Sequence, residues 1–414
     1  MRRNEGGCDA TALRSRDLLV SRCALGAAGK RPSRGVGARR HDGGVDAPTA
    51  RRPRTLSVER VRERRLRSHR LSAPAPTIAA AAEHMLATQA QEFWGGRWAI
   101  AQRTRGAPSV SDVDAAFGRG EIVRSWTMRG TIHIIPAREL AWVLSITGER
   151  QRRQAAAVHR NEGLDDAEVA KAERAVRAAL GGGNRLTRKE MFEVLEGAGV
   201  STAKQRGYHT LVALSIRSII CQGPVVPRDG GPTREQHWVL LEEWAPDQVW
   251  PDDPLAEFFF RFIASHGPAG ARDFAWWTGL PLGVSREAAE RATDRLVVVA
   301  DEPEPQYVAA GSAPRRVPSA PSVVALPPFE EYYLSYVDRT VPCAPEFLKK
   351  IGPAMNGIVH PIIVVDGEVV GRWTHSIAVS RHADDPIPEL FVPDAAPDAE
   401  IAAALERYKV FITN

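Results

Sequence analysis

Three stretches of this 414-residue chain follow one pattern, helix-forming segments and then strand-like runs, and that recurrence limits the fold more than any single element does. In the first, Ser111-x-x-Asp114 predicts a helix start. The runs I-V-R-S-W-T and G-T-I-H-I-I then read as two strands joined near Met128-Arg129-Gly130. Pro136 is expected at the first position of the next helix, which carries Leu140, Trp142, Val143 and Leu144. In the second stretch Thr187 caps L-T-R-K-E-M-F-E-V-L, and a turn follows at Gly197-Ala198-Gly199. A longer helix from about Thr202 to Ile219 then leads to strands ending in H-W-V-L-L. The third has L-A-E-F-F-F-R-F-I, a turn at Gly267-Pro268, helices A-R-D-F-A-W-W-T-G-L and S-R-E-A-A-E-R-A, and the strand R-L-V-V-V. The likeness is in pattern, not in letters.

Helices closed by a β-hairpin spell a winged helix, and the flanking segments complete the expected layout. Residues 1–54 mix Arg, Gly, Ala and Ser without periodicity or aromatics, the composition of a disordered basic extension. That end is open to reading as a nucleic-acid arm, a tail or a misplaced start. From Leu56, the residues Val58, Val61 and Leu66 among arginines give a short amphipathic helix whose basic face is either solvated or a phosphate contact. Ala-Pro-Ala-Pro then breaks the chain, and Thr77 caps a helix through Met85 or Leu86.

After Pro303 the grammar turns to β, with Q-Y-V-A-A, P-S-V-V-A-L, H-P-I-I-V-V, an Asp366-Gly367 turn and E-V-V-G-R-W-T-H. A helix around 397–407 and a strand Y-K-V-F-I end the chain. The expected fold class is α+β: three tandem winged-helix units followed by a C-terminal β-barrel-like domain. The units are placed at 55–150, 151–250 and 251–310, and the β-domain with its C-terminal helix at 311–414.

Composition excludes several classes. No run of about 18 apolar residues occurs and the N-terminus has no apolar signal core, so a cytoplasmic, nucleoid-associated protein is expected. Cys8, Cys23, Cys221 and Cys343 are scattered, with no C-x-x-C pair and no histidine at ligand spacing, which argues against zinc and against a disulfide framework. Residues 1–55 hold thirteen Lys/Arg against five Asp/Glu, so with a total of +5 the remainder of the chain is slightly acidic. Contact with a nucleic-acid backbone must come from local patches.

The segment L-A-T-Q-A-Q-E-F, followed by S-W-T-M-R-G-T-I-H-I-I-P, resembles the AlkZ-like DNA glycosylases of the winged-helix superfamily that also includes YcaQ. The resemblance extends over about residues 56–414. It includes H-G-P-A-G-A-R-D-F-A-W-W-T-G-L, L-P-P-F-E-E-Y-Y-L-S-Y-V-D-R and N-G-I-V-H-P-I-I-V-V-D-G-E-V-V-G-R-W. It implies a concave DNA-binding surface and a monofunctional glycosylase that hydrolyses the N-glycosidic bond of N7-alkylated purines, including bulky adducts and interstrand crosslinks, in repair or self-resistance. It also implies that Gln89 and Gln91 of the Q-x-Q motif are catalytic. The YcaQ branch has Asp at the second position, so Gln91 points to the AlkZ-like side. A monomer acting on double-stranded DNA with alkylated purines is expected, without cofactor or metal.

Chemistry makes two glutamines sufficient. Alkylation at N7 leaves the purine positively charged, so it departs neutral without an enzyme acid, and what remains is to hold a water against C1′. A glutamine carbonyl accepts from that water while its amide donates elsewhere. Residues i and i+2 lie about 200° apart on a helix but share a face in extended chain, so the pair is expected just past a helix end or in a distorted turn.

Thr131 and His133 share a strand face that the resemblance places beside this segment, which makes both DNA- or substrate-binding candidates; His133 contacts lesion or phosphate, or is a satisfied structural histidine. Arg124 and Arg129 are phosphate-binding candidates, with solvated surface as the alternative. Arg206, His209 and Arg217 are weaker ones. Trp276 and Trp277 are assigned to a core, and the Glu330-Glu331 pair is set aside because neighbouring carboxylates point different ways. The rival readings are a non-enzymatic winged-helix regulator, for which Q-x-Q has no use, and a scaffold with no affinity for DNA.

Overall fold

The computed structural model describes residues 55–301, 304–311, 323–354, 357–379 and 381–414, so the basic extension expected at 1–54, with Cys8 and Cys23, lies outside the described residues. Local capping sets where the helices begin. Ser57 and Thr77 accept from the backbone N–H three residues on and start Val58–Ser68 and Ile78–Met85, and Thr187 forms a reciprocal capping box with Glu190 at the head of Arg188–Gly197. One start differs from expectation. Val110–Gly118 is capped by Ser109 with Asp112, not by Ser111 with Asp114, because both Asp114 oxygens take the Arg97 guanidinium at 2.8 Å.

Five strands, β1 (Thr88–Gln89), β2 (Ile122–Met128), β3 (Thr131–Pro136), β4 (Ile220–Val225) and β5 (Gln236–Leu240), form one antiparallel sheet in the order β1-β3-β2-β4-β5. The turn between β2 and β3 is Arg129-Gly130, at φ 56° and 69°, the doubly left-handed turn whose twist suits a hairpin. Pro136 does not open a helix, as expected, but closes β3 opposite Ile122. A short 3₁₀ turn, Ala137–Glu139, then leads into Leu140–Asn161. The sheet joins the hairpins of the first and second expected units at one register pair, Arg124↔Gln222. The second helix of the second stretch is shorter than expected, Arg206–Ile216, because Thr202 is drawn to Glu196 and Ser218 turns left-handed at φ 61°.

The third stretch gives Pro254–His266, Ala271–Thr278, Leu282–Arg291 and β6 (Leu296–Ala300). Its partner β7 (Gln306–Ala309) had been expected in the last sheet but pairs with β6 as a separate two-stranded ribbon. The last sheet has four strands, β8 (Val323–Leu326), β9 (Ile362–Val365), β10 (Glu368–Thr374) and β11 (Ile387–Leu390), in the order β11-β10-β9-β8. It stays open, so the described residues form no closed barrel. The segment Tyr408–Ile412, expected as a strand, is the end of the helix Asp398–Thr413. Ile401, Ala404, Leu405, Tyr408, Phe411 and Ile412 recur at helical spacing and bury one face of it against the core shared with β8. The architecture is mixed α/β, and no helix among the described residues is long and apolar enough to cross a membrane.

Four apolar clusters hold these layers, and the segment 86–93 runs from one to another. Leu86 and Ala87 pack with Trp142, Phe258 and Trp277, whereas Ala90 and Phe93 pack with Trp98, Phe117 and Tyr408. A fully buried ion pair, Arg103 with Glu330, ties the end of the helix Phe93–Gln102 to the one-turn helix Glu331–Leu334. The carboxylate next in sequence, Glu331, is thereby brought to the tripeptide.

Candidate active site

Gln89-Ala90-Gln91 begins four residues after the helix Ile78–Met85 ends, and Leu86, at φ 61°, turns the chain out of it. Gln89 lies in β1 directly opposite His133 of β3. Gln89 is thus in a strand and Gln91 at a bend, so the tripeptide lies off regular helix. The helix that follows lies against it: a Cβ built on Gly96 would stand 2.5 Å from Ala90 Cβ and 2.9 Å from Ala90 Cα. Only glycine lets the helix backbone approach so closely.

The Gln89 side chain is buried, and its Oε1 accepts a 3.2 Å hydrogen bond from Arg129. A guanidinium only donates, so the amide must present its oxygen here, leaving its second lone pair and its NH₂ for other partners. The backbone N–H of Gln89 donates to Glu331 Oε1 at 2.7 Å. Main chain and side chain of Gln89 are held separately. Gln91 is half-buried, and Arg124 reaches its backbone carbonyl at 3.5 Å.

Glu331 reaches the tripeptide as a hydrogen-bond acceptor, not as half of an acid/base pair. It is 2% exposed, and besides Gln89 it accepts from Trp277 Nε1 at 2.9 Å and from the Ser335 hydroxyl at 2.5 Å. Burial works against its charge, but the His266 imidazole 3.6 Å away, His133 and the Ser335 hydroxyl outweigh it and hold the carboxyl down to about 2. Glu330 and Glu331 do point different ways, one into the Arg103 pair and the other toward Gln89. Trp277 is core, as expected. Trp276 is 42% exposed, its indole N–H donating to Leu334 O at 2.8 Å, which corrects the expectation of a buried ring.

The other candidates divide. His133 is fully buried, with Nδ1 2.7 Å from the Thr127 hydroxyl and Nε2 without a partner. Thr131 bonds the Met128 carbonyl at 3.2 Å. Arg124 turns inward, donating to Ala90 O at 3.0 Å and Gln222 Oε1 at 2.8 Å, and burial lowers it to about 9. Arg206 and Arg217 pair with Glu168 and Asp166 of the neighbouring helix at 2.6 and 2.5 Å, and the His209 ring lies against His159 and Tyr208.

Burial lowers the imidazoles of His133 and His84 from 6.5 to about 3 and about 4. Between pH about 6.5 and 4 the unfolded chain therefore binds protons that the folded chain refuses, and stability present above 6.5 is lost as the pH falls. Glu331 adds the same sign below about 4.5, the value from which it is lowered. The expected result is a Tm that drops steadily from pH 7 to pH 5. A level or rising Tm in that window would contradict neutral buried imidazoles.

Comparison with known proteins agrees with the motifs. A family model described as DNA glycosylase AlkZ-like matches residues 82–411. The interstrand DNA cross-link repair glycosylase of Streptomyces sahachiroi is 23% identical over 297 residues, spanning 67% of this chain and 77% of that protein. The solved structure of Streptomyces sahachiroi DNA glycosylase AlkZ superposes with a TM-score of 0.68 at 20% identity, over 86% of this chain and 97% of that one, which speaks for a common fold. With a matched span that takes in the tripeptide, its clamps and most of the chain, the protein belongs to the AlkZ-like DNA glycosylase family, hydrolases of N-glycosidic bonds in DNA.

Proposed function

We propose that the protein excises N7-alkylated purines from double-stranded DNA, with Gln89 and Gln91 as catalytic residues that hold the attacking water. The observation that carries this reading is the double hold on Gln89, by Arg129 at its amide oxygen and by Glu331 at its backbone N–H. A side chain held at its oxygen and rooted in a fixed backbone needs little reorganisation when water and sugar arrive. The cationic lesion supplies its own leaving-group activation, so no proton donor is required of the site. In this scheme Glu331 is a positioning residue, acting through Gln89.

The finer fold reading goes with this one: the three helix-and-hairpin stretches are winged-helix units at 55–150, 151–250 and 251–310, followed by the β-domain at 311–414, and the protein grips DNA as a monomer. The name of the Streptomyces sahachiroi relative supports extending the substrate class to interstrand crosslinks. The test is incubation with duplexes bearing N7-methylguanine or a defined N7-linked crosslink, followed by detection of free base and abasic sites. Release from either supports the reading and sets the lesion range, and release from neither overturns it.

A further inference from the structure

Near Arg129 stands a second cation that pairs with no carboxylate among the described residues. Arg339 follows the one-turn helix that carries Glu331, and among the described residues no carboxylate or hydrogen-bond acceptor meets its guanidinium. Two rings hold it instead: the guanidinium carbon lies 5.1 Å from the centre of Trp276 and 5.7 Å from that of Tyr333. Its Nε is buried and unpartnered. Tyr333 is anchored by its hydroxyl to Gly352 O at 2.7 Å and Trp276 by its N–H to Leu334 O, so the rings form a rigid cradle.

The cradle is continuous with the site. The Arg339 charge disfavours that of Arg129, and the Arg129 Cγ lies 3.1 Å from a Cβ built on Gly279, which caps the helix bearing Trp276. The one side-chain hydrogen bond of Arg129 among the described residues goes to the neutral Gln89 amide, and Glu331, already committed to three donors, is the nearby anion. Two guanidinium groups thus share less negative charge than they carry, at a rim where Trp276 keeps 42% of its surface exposed. A folded chain tolerates such an excess where an anion is to be received.

We propose that Arg339 binds a backbone phosphate of the DNA next to the lesion, with the exposed face of Trp276 packed against the adjoining deoxyribose. The proposal rests on the glycosylase reading for the presence of DNA but not on base release. Trp276 and Tyr333 aim the guanidinium fork, and the phosphate supplies the charge that the protein withholds. A phosphate seated there holds the strand and reads no base.

The test is binding of an undamaged duplex by the full chain from 50 to 200 mM salt. One lost phosphate contact lowers the slope of log affinity against log salt by about 0.9. Arg339→Gln is expected to show that drop and roughly three- to tenfold weaker binding, whereas Arg339→Lys keeps the slope and Trp276→Ala weakens binding without changing it. An Arg339→Gln slope equal to that of the unsubstituted protein overturns the proposal. So does a loss accompanied by a lowered Tm that Arg339→Lys shares, because the side chain would then be a structural filler. If the unsubstituted protein releases no base but the slope still falls, the catalytic reading fails and the phosphate seat stands.

Discussion

Gln89→Ala is expected to slow base release from N7-alkylated duplex by roughly 10²–10³-fold, the range seen when one preorganised polar group is removed from a reacting centre. The physical reason is the amide's double restraint. Alanine keeps the β1 pairing with His133 and the backbone bond to Glu331, so fold and strand register survive while the water loses its acceptor. Arg129 loses its side-chain partner at the same time, which adds an unpaired guanidinium but no hindrance to DNA. Affinity for duplex should therefore stay within about twofold, because neutral Gln89 carries none of the phosphate attraction. Gln91→Ala is expected to cost at least roughly tenfold, less than Gln89 because its hold runs through a long contact to its carbonyl. Single-turnover base release with anisotropy binding on the same duplexes separates the two effects. Full activity in both variants would sink the assignment.

Glu331→Ala should be the most damaging substitution for stability. It strands the Gln89 N–H, the Trp277 indole N–H and the Ser335 hydroxyl in a site from which water is excluded. Each unmet buried donor costs about 1–3 kcal/mol, and with relaxation and lack of additivity the loss is about 3–5 kcal/mol. Glu331→Gln separates that structural cost from function. It keeps the volume and one carbonyl for the Gln89 N–H, but its NH₂ then faces donors, and the amide loses the negative charge near Arg129. A chain that folds but releases base roughly tenfold more slowly at saturating DNA, with unchanged affinity, is the expected outcome. A merely structural carboxylate would lower Tm and leave the turnover of the folded fraction untouched. Glu331→Gln as active as the unsubstituted protein removes Glu331 from the machinery.

Features that depend on near neighbours in sequence were legible before the structure. Thr77 and Thr187 were read as caps because each donor is three residues away, and Asp366-Gly367, at φ 47° and 84°, is the hairpin turn its residues specify. Misreadings came where a distant partner chose between local options. Ser109 and Ser111 offer the same cap pattern, and Arg97 decided between them by taking Asp114. The run Tyr408–Ile412 is aromatic and β-branched enough for a strand, yet it completes an apolar helical stripe begun at Ile401.

The site shows the same division. Gln89 and Gln91 came with a recognisable motif, whereas Glu331 meets Gln89 across 242 residues and Trp277 across 54, separations at which no spacing rule speaks. Of two carboxylates side by side, one pairs with Arg103 and the other accepts from the Gln89 backbone N–H. Reading the Arg103 pair would have required the fold.

The close approach of Gly96 to Ala90 bears on any attempt to transplant this chemistry. Three residues look portable, but the middle one has no room to grow while the helix beneath it holds its place, and that helix already carries the smallest residue available. A loop engineered to contain the tripeptide would possess both amides and lack the ledge beneath its middle residue, the acid that grips the Gln89 N–H and the guanidinium that orients the Gln89 oxygen. The transferable unit is a fold fragment assembled from three separate stretches of chain, and a scaffold that received less would hold two glutamines in water.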